Sequence, residues 1–269
     1  MKFQDYKEAG KYENKGMAEI LFKTGYRQKC KAPNKLGLFG FAESLGIKTP
    51  NYIGSADMVA DKLIPELPEN YCLKPINGAG ARGVFLMKNG INLKDYVSYS
   101  KTEIEEKYLI GSKVYVGYST KYYVEELLLT KDNDIPDDIS FFMVGDTVGA
   151  ILQAKRLGKG KGKVFYDSDW NEIGAFGEAR EKPDYMLRRQ LTATAKKIMK
   201  KLKLPCLRVD MYAIKGKGVF IGELVAVSGI PGNITTSFLE IKDGKILDKY
   251  LGYLLEEHND IFSYTGIPG

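Results

Sequence analysis

The sequence predicts an α+β protein built on antiparallel hairpins, and three features of the chain predict it. Residues 139–144 and 147–153 are aromatic and β-branched runs joined by Gly145-Asp146, a hairpin pattern. Residues 204–214 and 219–227 repeat that pattern around Lys215-Gly216-Lys217-Gly218. Between the two pairs, Leu187, Leu191, Ala195, Ile198 and Leu202 step by 4, 4, 3 and 4 with cations on the other sides, the spacing of one amphipathic helix opened by Pro183. At 269 residues the chain can bury one large core or two small ones.

The elements follow in order. Residues 1–32 are polar, with a short helix over 17–23 and no chemical role legible in them. Asn34 is placed to cap a helix that Gly46 closes, and residues 47–50 leave it extended. Residues 57–63 read as helical, and Pro65 and Pro68 mark a loop. Residues 71–74 and 84–87 are apolar runs around Ile76-Asn77-Gly78-Ala79-Gly80-Ala81-Arg82-Gly83, a strand, a glycine-rich turn and a strand. Residues 92–118 carry mixed charge with some helix. Residues 122–129 form a strand holding Glu125 and Glu126 at its centre. After the first hairpin, residues 157–163 alternate glycine and lysine, a composition that resists regular structure. The only tryptophan, Trp170, follows beside Asp167 and Asp169, and the tail holds a helix over 246–257.

Composition narrows the function. Apolar residues at 44% and charged residues at 28% describe an ordinary soluble globular protein. The net charge of +6, spread along the chain, suits an anionic small ligand; nucleic acid is not an expected partner. Cys30, Cys72 and Cys206 are odd in number and far apart, which fits free thiols in a reducing compartment. The single histidine, His258, sits among Glu256, Glu257 and Asp260, a poor setting for a Ser-His-Asp arrangement. Residues 1–10 carry no apolar core of a secretory signal, and no apolar run reaches the ~18 residues of a membrane span. The expectation is a cytoplasmic protein.

Three clusters carry candidate chemistry. Glycines at 78, 80 and 83 let backbone N–H groups approach an anion, and Lys74 and Arg82 add charge. A phosphate-covering flap and a plain glycine-rich hairpin with two solvated cations both fit that stretch. Glu125 and Glu126 alternate in direction along one strand, so at least one needs a polar partner or a ligand. Asp210 and Glu223 stand at comparable depth on the two arms of the last hairpin. If they share a face, they repel unless a hard cation lies between them, and Mg²⁺ with bridging phosphate oxygens fits.

Taken together, and in this order, these residues resemble the ATP-grasp superfamily. The nearer resemblance is to its TupA-like branch, associated with teichuronopeptide and cell-surface polysaccharide biosynthesis. It is carried by Asp138 with Phe141-Phe142, Arg156, residues 165–171, Arg208-Val209-Asp210-Met211-Tyr212 and Gly222-Glu223-Leu224, over roughly residues 33–233. The resemblance implies two α+β subdomains whose antiparallel sheets grip ATP between them: residues 33–124 with the flap, and residues 125–269 with a metal site. Residues 1–32 would be an extension or a reduced preceding segment. By the same resemblance Lys35 and Lys74 contact phosphates and the loop from Gly78 through Gly80 and Arg82 to Gly83 closes over them. Glu125, Glu126 and Leu127 meet the adenosine, Asp210 and Glu223 hold Mg²⁺, and Arg156 with Lys74 steadies the transferred phosphoryl group. The superfamily's usual asparagine two residues after the second metal carboxylate is Val225 here, with Asn233 as a candidate substitute.

The implied activity is an ATP- and Mg²⁺-dependent carboxylate–amine ligase working through an acyl-phosphate. A small-molecule or sugar kinase on the same fold and a non-catalytic nucleotide-binding scaffold are the alternatives. The partners expected are ATP and a carboxylate or hydroxyl acceptor, and a homodimer is compatible with the sequence.

Overall fold

The structure, a computed structural model, describes residues 1–10, 15–17, 19–20, 32–57, 66–76, 83–106, 121–155, 162–178, 181–225 and 243–257. It divides into two compact units, one of Pro33–Ile135 and one of Met1–Ala32 with Pro136–Gly269.

The first unit opens with helix α2 (Gly37–Ser44); α1 belongs to the second unit. The Asn34 side chain accepts from the Gly37 N–H at 2.8 Å, and Gly46, at φ 61°, donates its N–H to Glu43 O. The start and stop signals thus act as the sequence suggested. A six-stranded antiparallel sheet follows, in spatial order β1-β6-β2-β3-β4-β5. Its strands are β1 (Tyr52–Asp57), β2 (Asn70–Pro75), β3 (Phe85–Lys88), β4 (Ile91–Asn92), β5 (Val97–Ser98) and β6 (Lys121–Glu126). Asp57, expected to open a helix, instead ends β1, and residues 58–63 lie outside the described residues.

One face of this sheet is apolar because alternate residues of each strand point the same way. Tyr71 and Leu73 of β2, Phe85 and Met87 of β3, and Tyr122 and Val124 of β6 pack there with Ile104. Ile104 comes from residues 101–106, a helical stretch begun by a capping box: Ser100 Oγ accepts from the Glu103 N–H, and Glu103 accepts from the Ser100 N–H. The other face holds Cys72, Lys74, Tyr123 and Glu125. Phe39 of α2 meets Tyr123 edge-on at 5.9 Å on this side.

The second unit is a six-stranded antiparallel sheet in order β10-β9-β8-β7-β11-β12. Its strands are β7 (Asp138–Val144), β8 (Thr147–Ala154), β9 (Lys163–Tyr166), β10 (Glu172–Phe176), β11 (Cys206–Ile214) and β12 (Gly218–Val225). Helix α3 (Tyr185–Leu202) starts at Asp184, whose side chain accepts from the Leu187 N–H at 2.9 Å. It buries Leu187, Leu191, Ala195, Ile198 and Met199 and packs on β11 and β12. Burying the leucine, isoleucine and methionine side chains among these contributes roughly 1.5–3 kcal/mol each before entropy is counted.

Helix α4 (Gly244–Glu257) packs on β8, β7 and the N-terminal helix α1 (Phe3–Ala9). Phe3 and Tyr6 of α1 lie 5.4 and 5.5 Å from the Tyr250 ring. A bulge in β8 places Gly149 under α4, where a Cβ would come within 2.3 Å of Leu251. Among the described residues, Cys72 and Cys206 are buried and in no disulfide, and no helix is long and apolar enough to cross a membrane. Cys30 and His258 lie outside the described residues.

Candidate functional site

The second unit gathers a charged row on the sheet made by β7, β11 and β12. The β11–β12 register sets Asp210 directly opposite Glu223, and the β7–β11 register sets Ser140 directly opposite Asp210 from the other side. Directly paired residues share a face, and residues two apart on a strand share it too. Arg208 therefore joins Asp210 on this face, with Val225 opposite it on β12. The face is half-buried at Arg208, Asp210, Glu223 and Val225, whereas the intervening Val209, Met211 and Leu224 are buried.

Hydrogen bonds organise the row. Arg208 Nε donates to Asp210 Oδ1 at 2.8 Å and Nη2 to Oδ2 at 2.7 Å, a fork-on-fork pair. Ser140 Oγ donates to Asp210 Oδ1 at 2.7 Å. Burial works against the Arg208 charge, but Asp210, with Glu223 and Asp138 behind it, outweighs burial and holds the guanidinium above its ordinary range. Arg208 thus stays a cation set against carboxylates. Past Asp210 the register slips: Met211 pairs with Ile221, and Gly222 is the extra residue. A Cβ at Gly222 would fall 2.7 Å from the Tyr212 ring, so a glycine is required there.

Could this row hold a metal? Among the described residues no group of three or more His, Cys, Asp and Glu side chains is arranged to bind one. The row offers two opposed carboxylates, and Val225 adds no donor atom. That donor set is too poor to retain a cation alone. It fits Mg²⁺ that brings phosphate oxygens with it, the usual way this ion is held.

The first unit holds a buried ion pair. Lys74 Nζ donates to Glu125 Oε1, with Lys74 6% and Glu125 4% exposed. The sheet register explains the meeting: Cys72 pairs with Glu125 and Lys74 with Tyr123, so the two charges are diagonal neighbours on one face. Glu126 faces the other way and accepts from Asn51 Nδ2 at 2.8 Å. Each carboxylate of the acidic strand therefore has its own partner. Lys35 Nζ donates to Pro75 O at 3.3 Å, the residue after Lys74 at the end of β2. Regular pairing of β6 stops at Glu126, and Leu127, just beyond it, is buried.

The remaining sequence-derived candidates divide simply. Gly83 is described, exposed and at φ 68°, while Gly78, Gly80, Arg82, Arg156 and Asn233 lie outside the described residues. Of the described residues on either side of Arg156, the Lys155 N–H donates to Gly162 O at 3.0 Å. The sequence assigns two residues of the row no role in the site, although Arg208 stands in the motif that carries the resemblance. Arg208 carried a usable signal, since it stands two residues before Asp210 on a strand. Ser140 carried none, because only the register of β7 on β11 brings it to Asp210.

A model of the TupA-like ATP-grasp family matches residues 18–254. No curated protein sequence matches the chain. Among solved structures, the VanG D-Ala:D-Ser ligase from Enterococcus faecalis is similar at a TM-score of 0.54 and 13% identity, over 86% of this chain and 61% of that one. The L-amino acid ligase from Bacillus licheniformis is similar at 0.49 and 17%, over 83% of this chain and 48% of that one. The D-alanine-D-alanine ligase from Helicobacter pylori is similar at 0.47 and 17%, over 82% and 57%. The chain spans about half to three-fifths of the length of these structures.

Proposed function

The chain belongs to the TupA-like ATP-grasp family, with the ATP-grasp fold in two α+β units, and from that premise we propose that it is an ATP- and Mg²⁺-dependent carboxylate–amine ligase. The observation that carries the proposal is the row of Arg208, Asp210 and Glu223 on one sheet face. It offers what phosphoryl transfer demands, a fixed cation beside a carboxylate pair that suits a metal–nucleotide complex.

Two steps make up the reaction. An oxygen of the substrate carboxylate attacks the γ-phosphorus, and the bond to ADP breaks, giving an acyl-phosphate. An amine then attacks the acyl carbon, inorganic phosphate leaves, and the nitrogen gives up a proton as the amide forms. Neither step needs a side-chain nucleophile, so the residues act by position and charge. Asp210 and Glu223 would hold Mg²⁺, which when bound neutralises phosphate oxygens. Arg208 has five N–H donors and spends two on Asp210, leaving three for charge developing on the phosphoryl oxygens.

In the first unit, Lys74 and Lys35 would engage ATP phosphates. Glu125 takes one of the three Lys74 donors, which orients the ammonium. Gly78, Gly80, Arg82 and Gly83 would cover the phosphates, and Glu125, Glu126 and Leu127 would meet adenosine. Arg156 would join Arg208 on the transferred group, and Asn233 is the candidate for any further metal ligand. The product class proposed is a cell-surface polysaccharide or peptide conjugate, made in the cytoplasm; it follows the association of the TupA-like branch that the sequence resembles.

The test is incubation with ATP, Mg²⁺ and panels of carboxylate and amine acceptors. A ligase releases ADP with free phosphate, and hydroxylamine traps its intermediate. ADP without free phosphate, together with a stable phosphorylated acceptor, would make it a kinase. No thermal stabilisation by Mg-ATP would remove both activities. Asp210→Asn and Glu223→Gln should abolish turnover while far-UV circular dichroism stays native.

A further inference from the structure

We infer that Ser140 is a positioning residue for Asp210, tying its carboxylate to β7 so that one defined oxygen is presented to a divalent cation. The inference rests on the metal–nucleotide reading above and adds the residue that sets its geometry.

Ser140, Asp210 and Glu223 form a straight row across three neighbouring strands, each directly opposite the next. Ser140 is 8% exposed, and its hydroxyl spends its one hydrogen on Asp210 Oδ1. Arg208 Nε adds a second bond to the same oxygen, and Arg208 Nη2 adds one to Oδ2. An ionised carboxylate offers about four lone-pair sites. Two are filled on Oδ1 and one on Oδ2, so the open direction belongs to Oδ2. Asp210 is thus prepared as a one-oxygen ligand.

The Arg208 fork alone would not fix this arrangement. A guanidinium on a long side chain lets the ion pair rock as a body, whereas a serine turns about one bond and gives up little rotamer freedom. Arg208 also has a competing task, because charge developing on a phosphoryl group draws on the same guanidinium. Ser140 is neutral and buried, so it keeps its hold on Asp210 while Arg208 is shared.

The experiment titrates Mn²⁺ by electron paramagnetic resonance into the full-length protein with a non-hydrolysable ATP analogue, adenylyl imidodiphosphate. Ser140→Ala should weaken Mn²⁺ about ten- to a hundredfold, the range found when a hydrogen-bond partner of a metal ligand is removed. Binding of the analogue without metal should be unchanged, and excess Mg²⁺ should restore turnover. Ser140→Thr keeps the hydroxyl and suits a strand, so it should behave as wild type. Ser140→Cys is slightly larger than serine and donates weakly, so it should show the same weakening and serves if the alanine variant misfolds. Unchanged Mn²⁺ affinity in the folded alanine or cysteine variant overturns the role of Ser140 and leaves the metal site standing. A turnover loss that Mg²⁺ does not rescue overturns it too. Wild-type protein that takes up no Mn²⁺ with the analogue overturns the metal site itself, and the role of Ser140 with it.

Discussion

At the scale of single residues, the Lys74–Glu125 pair makes the first unit sensitive to the loss of either partner. Both groups are buried on one sheet face. Taking two charges out of water is costly, and their attraction offsets that cost only while both are present. Glu125→Gln should therefore destabilise the protein by up to roughly 3–5 kcal/mol, since it removes the carboxylate set against the buried Lys74 ammonium. Replacing both with methionine should recover most of that stability, because no uncompensated charge remains. Urea denaturation of Lys74→Met, Glu125→Met and the double methionine variant measures the coupling. A folded double variant that still gains thermal stability from ATP would remove Lys74 from the phosphate site. Lys74→Ala alone is a poor probe of nucleotide binding, because it also leaves Glu125 buried and unpaired.

At the scale of elements, legibility followed local signal. The β7–β8 and β11–β12 hairpins, α3 and its buried stripe were readable because apolar period and turn residues agree over eight or more residues. The pairing of Asp210 with Glu223 was readable to within a residue from their distances to the turn. β1 was not readable, since Gly54 and Ser55 interrupt it and Pro50-Asn51 precede it. β10 was missed because it is an edge strand, mostly exposed, with Gly174 at its bulge. The Lys74–Glu125 contact depends on strands 51 residues apart in the chain, which no local pattern encodes.

The contact between α1 and α4 carries a titration. Tyr250 is 2% exposed and its hydroxyl donates to Met1 O at 3.0 Å. Burial first, then the nearby Asp167 carboxylate, pushes the phenol up to about 12 from its ordinary value of 10.0. The sign is fixed by which state keeps the proton. The unfolded chain releases it from about pH 10, while the folded protein holds it to about pH 12, so this stability is whole below pH 10 and is lost as pH climbs through that window. Lysine titration falls in the same range, so the comparison must be differential. Tyr250→Phe should lose less stability than wild type between pH 10 and 12, measured by urea midpoints. Parallel midpoints across that window would show that the phenol proton is not coupled to folding.

At the scale of the whole molecule, the chain order and the compact units disagree in an informative way. Residues 1–32 precede the first unit in sequence yet group with residues 136–269. Phe3 and Tyr6 bury themselves against Tyr250, and Lys7 pairs with Asp243 at 2.5 Å. Gly252 lets the backbone pass so closely that an added Cβ would meet Lys15 O at 2.0 Å. The exposed Lys2–Asp169 pair contributes little beside these contacts. Removing residues 1–10 takes two aromatic side chains from the core, worth roughly 1.5–3 kcal/mol each. The loss should fall on the second unit although the deletion sits next to the first in sequence. The only tryptophan, Trp170, lies in that unit, buried against Tyr166 and Phe141, so its fluorescence reports the right transition. Deleting residues 1–10 should lower the tryptophan-reported urea midpoint and raise hydrogen exchange in α4 and β8. Exchange in β2 and β6 should stay as in the full chain, because their core of Tyr71, Leu73, Tyr122 and Val124 is built without the N-terminal segment. Equal loss of protection in β2, β6 and α4 would mean that the two units unfold as one and that the N-terminal segment supports both.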